Sequence, residues 1–426
     1  VKVGIAGTDG RITYFTKIRN ISFAPEVDMS AQSLPINRFT VDIETEQDIK
    51  AGQFMYLSSD AHDWACYWIT KSERKTPKLL SVLAESILIF FERTTMRARY
   101  SEGVSAYNLI SECMAAISPS SATQSIVIDS QLRNVLISGF CPEQSARERL
   151  QSILFAAGAY WQDWGTAEPH IQFAPIMDSS DRGYGSILQA NEVFVRPVIE
   201  KGDNASHFAL KYYTVTDYEP ATYTSTVQDS NGNTYYVKED QYGWTSYGSG
   251  NEIIIGGNMF VDYTSMQSIK GNLSYYYHTL VDIVEADIIN NGRIWPGDLI
   301  TIPIDDDDAH IATGYVQSVD FSFGLQSRSR ISIYPATLVD GALVTLKWVC
   351  DGNTVCTESA HYPIGHMVSI DSGQKQVLTN AHLYTYEFNG IEVAAARDQT
   401  IEMDCMLVSD TDLITGETVT YSGLEA

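Results

Sequence analysis

The sequence predicts a mainly β fold with an α+β insertion: two barrel-like domains, a small α+β module between them, and a C-terminal β-sandwich. Three observations predict it. Tyr is abundant, at 25 residues, and Thr, Ser, Val and Ile are plentiful, which suits pleated, half-buried strands. Short apolar or alternating runs recur between Gly- and Asn-containing turns, at spacings of roughly 8–12 residues. Helical periodicity is confined to three stretches, near 105–117, 146–157 and 264–279. A chain of 426 residues is too long for one compact core, so several domains are expected. The boundaries read 1–100 for a first barrel, 101–198 for the α+β module, 199–339 for a helix plus a second barrel, and 340–426 for the terminal sandwich.

In the first region the runs Arg11–Phe15, Phe39–Glu44, Phe54–Leu57 and Cys66–Lys71 read as strands. Gly52 precedes a run expected to pair with Tyr67-Trp68-Ile69-Thr70, which gives the layout of a small barrel. Leu79–Phe91 is apolar enough for a buried strand or a helix, and periodicity leaves both open.

Ser105–Ile117 reads as a helix with a stripe of Val104, Leu109, Ile110, Met114 and Ile117, stopped by Pro119. Ile126–Ile128 and Val135–Ser138 read as short strands. Pro142 lacks an N–H where a first helical turn leaves it unpaired, so it is expected to open the next helix. Ala146, Leu150, Ile153, Leu154 and Ala157 form its apolar stripe, and Gly158 is suited to the positive φ that ends a helix. The chain then runs through Trp161 and a charged turn into a short strand ending in Ile171–Ile176.

Strands resume at Val193–Val198 and His207–Thr216. Asp229-Ser-Asn-Gly-Asn233 reads as a hairpin turn, and 238–251 as a polar loop containing Gly243, Gly248 and Gly250. Thr264–Thr279 reads as a helix with Met266, Ile269, Leu273, Tyr276, Tyr277 and Leu280 on one face, weakened by Gly271. Val281–Ile288 alternates apolar and acidic residues; turns at Asn290-Asn-Gly292 and Pro296-Gly-Asp298 lead into Leu299–Ile304. Ile311–Phe323 and Ser329–Tyr334 complete a meander that suits a closed barrel. Gly341 reads as a boundary. Beyond it, Leu343–Val349, Met367–Ile370, Leu383–Phe388, Glu392–Ala396 and Thr400–Val408 resemble an immunoglobulin-like or bacterial-repeat-like sandwich.

Net charge is −25, which argues against static nucleic-acid binding and against an anionic membrane surface as partner. Residues 340–426 are disproportionately acidic: Lys347, Lys375 and Arg397 stand against thirteen Asp and Glu. No run of 18 apolar residues predicts a membrane span, and Val1–Gly10 lacks the layout of a signal peptide. Six cysteines in so long a chain do not make a disulfide scaffold, so folding in a reducing cytoplasm is expected.

A search for chemistry yields no catalytic, cofactor or metal assignment. Gly-x-Ser-x-Gly, phosphate-loop, Gly-x-Gly-x-x-Gly and His-Glu-x-x-His patterns are absent. Asp305–Asp308 with His310 lacks the spaced ligands of a calcium loop and reads as a solvated hairpin tip. Cys350, Cys356, His361 and His366 leave three readings open: a zinc site, a disulfide between Cys350 and Cys356 across an Asp351-Gly-Asn353 hairpin, or plain structure. Tyr160, Trp161 and Trp164 are the kind of cluster that stacks on carbohydrate, but helix-end packing is the reading favoured.

The helix–Gly–strand unit carrying Pro142, Ser145, Arg147, Leu150 and Gly158 resembles one in the tail hub (baseplate hub) proteins of long-tailed phages and prophage tail-like particles. The resemblance runs in order over about 10–336. It takes in Glu92-Arg93-Thr94-Thr95, the Tyr-rich helix at Gln267–His278, the turn Pro296-Gly297-Asp298 and the returning strand Gly314–Phe323. It implies a non-enzymatic virion protein: a homotrimeric ring at the tail tip, assembled in the bacterial host cytoplasm, whose two barrels per chain alternate to imitate sixfold symmetry. The implied partners are further copies of the chain, a distal tail protein or tail tube ring, a spike or tip fibre, and the tape measure protein. DNA would pass through an acidic lumen without binding. Two competing readings remain open: a tail-tip adhesin for host glycans, resting on the 238–251 loop and the terminal sandwich, and a tail-associated peptidoglycan hydrolase.

Overall fold

The computed structural model describes residues 1–7, 11–59, 63–117, 126–174, 185–201, 207–245, 252–278, 282–290, 292–304, 310–323 and 327–421. Strand dominates throughout, as the composition demands, with four α-helices among the described residues. The chain divides into two compact units. One holds 1–183, 198–298 and 315–336; the other holds 184–197, 299–314 and 337–426.

Seven strands open the first unit: β1 (Lys2–Ala6), β2 (Ile12–Phe15), β3 (Ile18–Phe23), β4 (Arg38–Glu44), β5 (Phe54–Ser58), β6 (Asp63–Thr76) and β7 (Leu79–Glu85). β1 pairs antiparallel with β2 on one side and β5 on the other. From β5 the ladder continues through β6, β7 and β4 to β3. Only two residues separate β2 from β3, so the segment 12–23 touches both ends of the ladder, β1 through its first half and β4 through its second. The period-2 alternation of β4 and β7 turns Phe39, Val41, Ile43, Leu80, Val82 and Ala84 inward, and all six are buried. Phe54 lies opposite Trp68 and Met55 opposite Tyr67, the pairing expected after Gly52. β3 also meets the strand His310–Phe323, where Phe23 faces Phe321 and the two rings stack with centroids 5.6 Å apart.

The ambiguous run Leu79–Phe91 divides at Ser86. Its first half is β7 and its second is the helix α1 (Leu88–Arg93). Three further helices follow: α2 (Ala106–Ala115), α3 (Ala146–Ala157) and α4 (Tyr263–His278). α2 starts where the Ser105 side chain accepts from the Asn108 N–H, so an N-cap sets its register. α3 buries the whole expected stripe, Ala146, Leu150, Ile153, Leu154 and Ala157, against one core shared with Leu109 and Ile110 of α2, Met266, Ile269 and Leu273 of α4, and Phe208 and Leu210. Each large aliphatic side chain buried there contributes about 2 kcal/mol.

Three sequence expectations are corrected. Pro142 does not open α3; Ser145 is its N-cap, in a reciprocal capping box with Glu148, which satisfies the first N–H groups better than an absent donor does. Val193–Val198 is not a strand: Pro197 cannot donate to a ladder, and pairing begins at Val198 and runs to Lys201. Residues 238–245 are not a loop but the second half of strand Thr234–Thr245, held by an unbroken antiparallel ladder from Thr216↔Tyr236 to His207↔Thr245. Tertiary pairing there overrides local polarity. Residues 246–251 lie outside the described residues, as do Asp305–Asp308 and Pro119.

In the second unit, Ser186–Ile187 pairs parallel with Leu299–Pro303. The strand Ser327–Cys350 passes Gly341 without a break. Its part in this unit pairs antiparallel with Asn353–Pro363 and parallel with the first half of Gln399–Asp412. The second half of Gln399–Asp412 pairs instead with His382–Phe388, which also pairs with Gly373–Thr379. Met367–Ile370 and Ile391–Ala394 form a separate two-stranded ribbon. Val344, Leu346, Trp348, Val368, Phe388, Ala395, Ile401, Met403 and Cys405 fill the core.

One position in the first unit tests this packing. Gly139, at φ 148° on strand Leu136–Cys141, lies so close to the segment before α4 that a Cβ would sit 2.0 Å from the Met259 carbonyl oxygen. Gly139→Ala is expected to destabilise the chain by about 3 kcal/mol, read as a lower denaturation midpoint with unchanged m.

Candidate functional site

Several of the motifs that carry the resemblance meet at α3 and the segment that follows it, within the first unit. The α3 N-terminus docks on the Glu92–Thr95 segment. The Ala146 N–H donates to the Thr94 carbonyl at 2.7 Å, and Gln144-Ser145 pairs antiparallel with Thr95-Met96. The Arg147 guanidinium pairs with the Glu92 carboxylate and donates to the Leu34 carbonyl at 2.6 Å. Two separate pieces of the resemblance, Glu92-Arg-Thr-Thr and Pro-x-x-Ser-Ala-Arg, are therefore two halves of one contact. Arg149, which sequence reasoning passed over, is 6% exposed and donates to the Arg97 carbonyl and to the Cys141 sulfur. A buried cation on an apolar helix face leaves no periodicity signal.

At the other end of α3, Gly158 has φ 64° and its N–H returns to the Phe155 carbonyl. That left-handed residue turns the chain into strand Ala159–Gln162, which pairs with His170–Phe173. Tyr160, Trp161 and Trp164 are all buried, so they pack rather than offer a stacking platform.

Between the tryptophans lies Asp163, 3% exposed. Its Oδ1 accepts from Asn37 Nδ2 at 3.0 Å and from the Tyr67 hydroxyl at 3.1 Å. Its Oδ2 accepts from Trp161 Nε1 at 2.9 Å and from the Ser86 hydroxyl. Burial pushes its pKa up, and the four hydrogen bonds oppose that rise. Asn37 in turn brackets Glu26, accepting its N–H and donating to its carbonyl, while the Ser86 N–H donates to the Asn37 carbonyl. One carboxylate thus ties the start of β4, the middle of β6, the end of β7 and the strand after α3.

Trp164 carries the contact onward. Its Nε1 donates to the Pro296 carbonyl at 2.9 Å, at the Pro296-Gly297-Asp298 turn. Asp298 closes that turn by accepting the Trp295 N–H at 2.8 Å, and burial raises its pKa. The turn is fixed to the strand beyond it by Gly297 N–H to Val316 O and Val316 N–H to Asp298 O. Trp295, Trp64, Phe23, Phe321 and Phe323 form an edge-and-stack aromatic cluster beside it.

This constellation joins segments distant in sequence. Of its two carboxylates with raised pKa, Asp163 is buried and accepts four hydrogen bonds, while Asp298 is half-buried and accepts the Trp295 N–H. In the second unit, Cys356 stands opposite Trp348 and Cys350 opposite Asn353, so the hairpin does not place the two thiols face to face. The His361 N–H donates to Gln189 Oε1, and the His366 ring stacks on Tyr362, with burial lowering its pKa. Among the described residues no group of three or more His, Cys, Asp or Glu is arranged to hold a metal ion.

No family model matches the sequence, and no curated protein matches it. Solved structures do share its fold. The tail protein from Neisseria meningitidis MC58 superposes with a TM-score of 0.52 at 12% identity, over 78% of this chain and 95% of that one. The 43 kDa tail protein of prophage MuSo2 from Shewanella oneidensis gives 0.51 at 12% identity, over 78% and 98%. The chain therefore has the fold of phage tail proteins, at an identity that shows fold alone.

Two outcomes test the joint. Asp163→Ala leaves four buried donors unsatisfied and is expected to cost about 4 kcal/mol, and Asp163→Asn, which keeps the volume, about 2 kcal/mol, both read by chemical denaturation. The Ser145 N–H and hydroxyl hold the Glu148 carboxyl below its ordinary pKa of 4.5. A depressed folded pKa contributes stability above that ordinary value and loses it as pH falls through the folded one. Glu148→Gln should therefore melt below the wild type at pH 7, and the difference should close as pH falls from 4.5 through the lowered folded pKa.

Proposed function

We propose that this chain is a structural tail hub protein: a homotrimeric ring at a phage tail tip that adapts a sixfold tube to a threefold spike or fibre. The observation that carries the reading is the fold shared with two tail proteins, one of them from a prophage, over nearly their whole lengths. The meeting of the resemblance's motifs at one joint supports it, since a ring subunit needs its two cylinders held at a fixed angle. In this reading, the β1–β7 ladder, linked end to end through segment 12–23, is the first barrel, and the strands from 282 to 336 belong to the second. Closed sheets leave few edges to pair wrongly, which suits repeated copies in a rigid collar.

The chain acts by shape and not by turnover. Its neighbours in the virion are a distal tail protein or tube ring, the spike or tip fibre and the tape measure protein. Its charge of −25 gives passing DNA no cationic trap. The acidic C-terminal part, 340–426, is an appended immunoglobulin-like decoration. Light scattering coupled to size exclusion tests the reading: the expected mass is three times that of the chain. A monomer at micromolar concentration would overturn the ring and favour a surface-binding tail-tip protein.

A further inference from the structure

The terminal unit contains an arrangement of sulfurs that the function above does not use. Strand 341–350 and the first half of Gln399–Asp412 run parallel, in register from Val344↔Gln399 to Val349↔Asp404. The next step along both strands places Cys350 beside Cys405. Both lie on the core-facing side: Val344, Leu346 and Trp348 alternate into the core before Cys350, and Ile401 and Met403 before Cys405. Neighbouring strands are about 4.8 Å apart, within the Cα separation of roughly 4.4–6.8 Å that a disulfide spans.

We propose that Cys350 and Cys405 are a redox pair that closes into a disulfide when the reduced protein meets a peroxide. The nearer sequence partner, Cys356, is displaced. It pairs with Trp348 rather than Cys350, and a diagonal cross-strand position is about 7–8 Å away. All three thiols are free in this structure. Cys350 is within side-chain hydrogen-bonding reach of Cys405, whose thiol burial pushes up to about 11. Cys350 is half-buried and Cys405 buried, so the oxidant meets Cys350 first.

The steps balance. The Cys350 thiolate attacks one peroxide oxygen, the O–O bond breaks, and hydroxide leaves as water, giving a sulfenic acid. The Cys405 sulfur attacks the sulfenic sulfur, loses its proton, and displaces the second oxygen as water. Two thiols are oxidised and one hydrogen peroxide is reduced to two waters. The bond falls where Gln399–Asp412 leaves one ladder for the other: Asp404 is the last residue paired with 341–350, and Cys405 is the first paired with Phe388. A staple there fixes the crossover of the two sheets, and it constrains the unfolded chain across the 350–405 loop.

The test uses the full reduced chain treated with hydrogen peroxide, thiol-blocked, digested without reductant and read by mass spectrometry. The expected result is a loss of two of the six free thiols and one cross-linked peptide pair joining Cys350 to Cys405. Thermal denaturation should shift upward on oxidation and return with dithiothreitol. Cys356→Ser should keep the cross-link, and Cys405→Ser should abolish it. Retention of all six thiols in the folded, treated chain would overturn the proposal. So would a Cys350–Cys356 cross-link, or Cys350 recovered as sulfinic acid beside a free Cys405.

Discussion

The first unit depends on one buried carboxylate. Asp163 accepts four hydrogen bonds, three from residues distant in sequence, Asn37, Tyr67 and Ser86, and one from nearby Trp161. An isolated buried charge is prohibitive, so its presence is tolerated only because every lone-pair direction has a donor. The same requirement confers specificity. A hydrophobic residue of similar volume would let the sheet slide on the helix module, whereas four donors aimed at two oxygens fix the position in all directions. Trp161 and Trp164 flank that carboxylate. One satisfies it, and the other passes the constraint to the Pro296-Gly297-Asp298 turn.

That arrangement explains why the motifs of the sequence occur in their order. Glu92 precedes Arg147, Gly158 follows α3, and the Pro-Gly-Asp turn lies far downstream. In space Glu92 meets the start of α3 through Arg147, Gly158 ends the helix, and the Pro-Gly-Asp turn meets Trp164 just beyond the strand that follows. Ser145 starts α3 by reciprocal capping and Gly158 ends it by turning left-handed, so the helix has fixed ends. A helix of fixed length between two docked ends works as a strut.

Much of this was legible in the sequence because it was local. The α3 stripe, the Gly158 stop, the hairpin at Asp229–Asn233, the pairing after Gly52 and the strand His207–Thr216 all followed from periodicity and turn chemistry. What escaped was non-local. A cap and a first-turn proline leave similar marks one turn apart, so the sequence points to Pro142 where Ser145 is the cap. Residues 238–245 read as loop because their polarity is local, while the ladder that orders them comes from 207–216. Asp163 read as part of a charged turn, since nothing nearby reveals that Asn37, Tyr67 and Ser86 fold back onto it. Arg149 was hidden by the apolar residues on either side of it, and the Cys350–Cys405 adjacency by the parallel pairing of strands far apart in sequence.

In the proposed reading this chain works by geometry, as a subunit of a hollow collar through which a negatively charged polymer slides. An electron cryo-microscopy reconstruction of the assembled particle, viewed down its long axis, tests it most directly. The account predicts three copies meeting around one open pore, two sealed β-cylinders from each lining it, and acidic side chains in excess on the wall. A particle in which the copies never share a pore, or one whose pore is lined mainly by Lys and Arg, would contradict it.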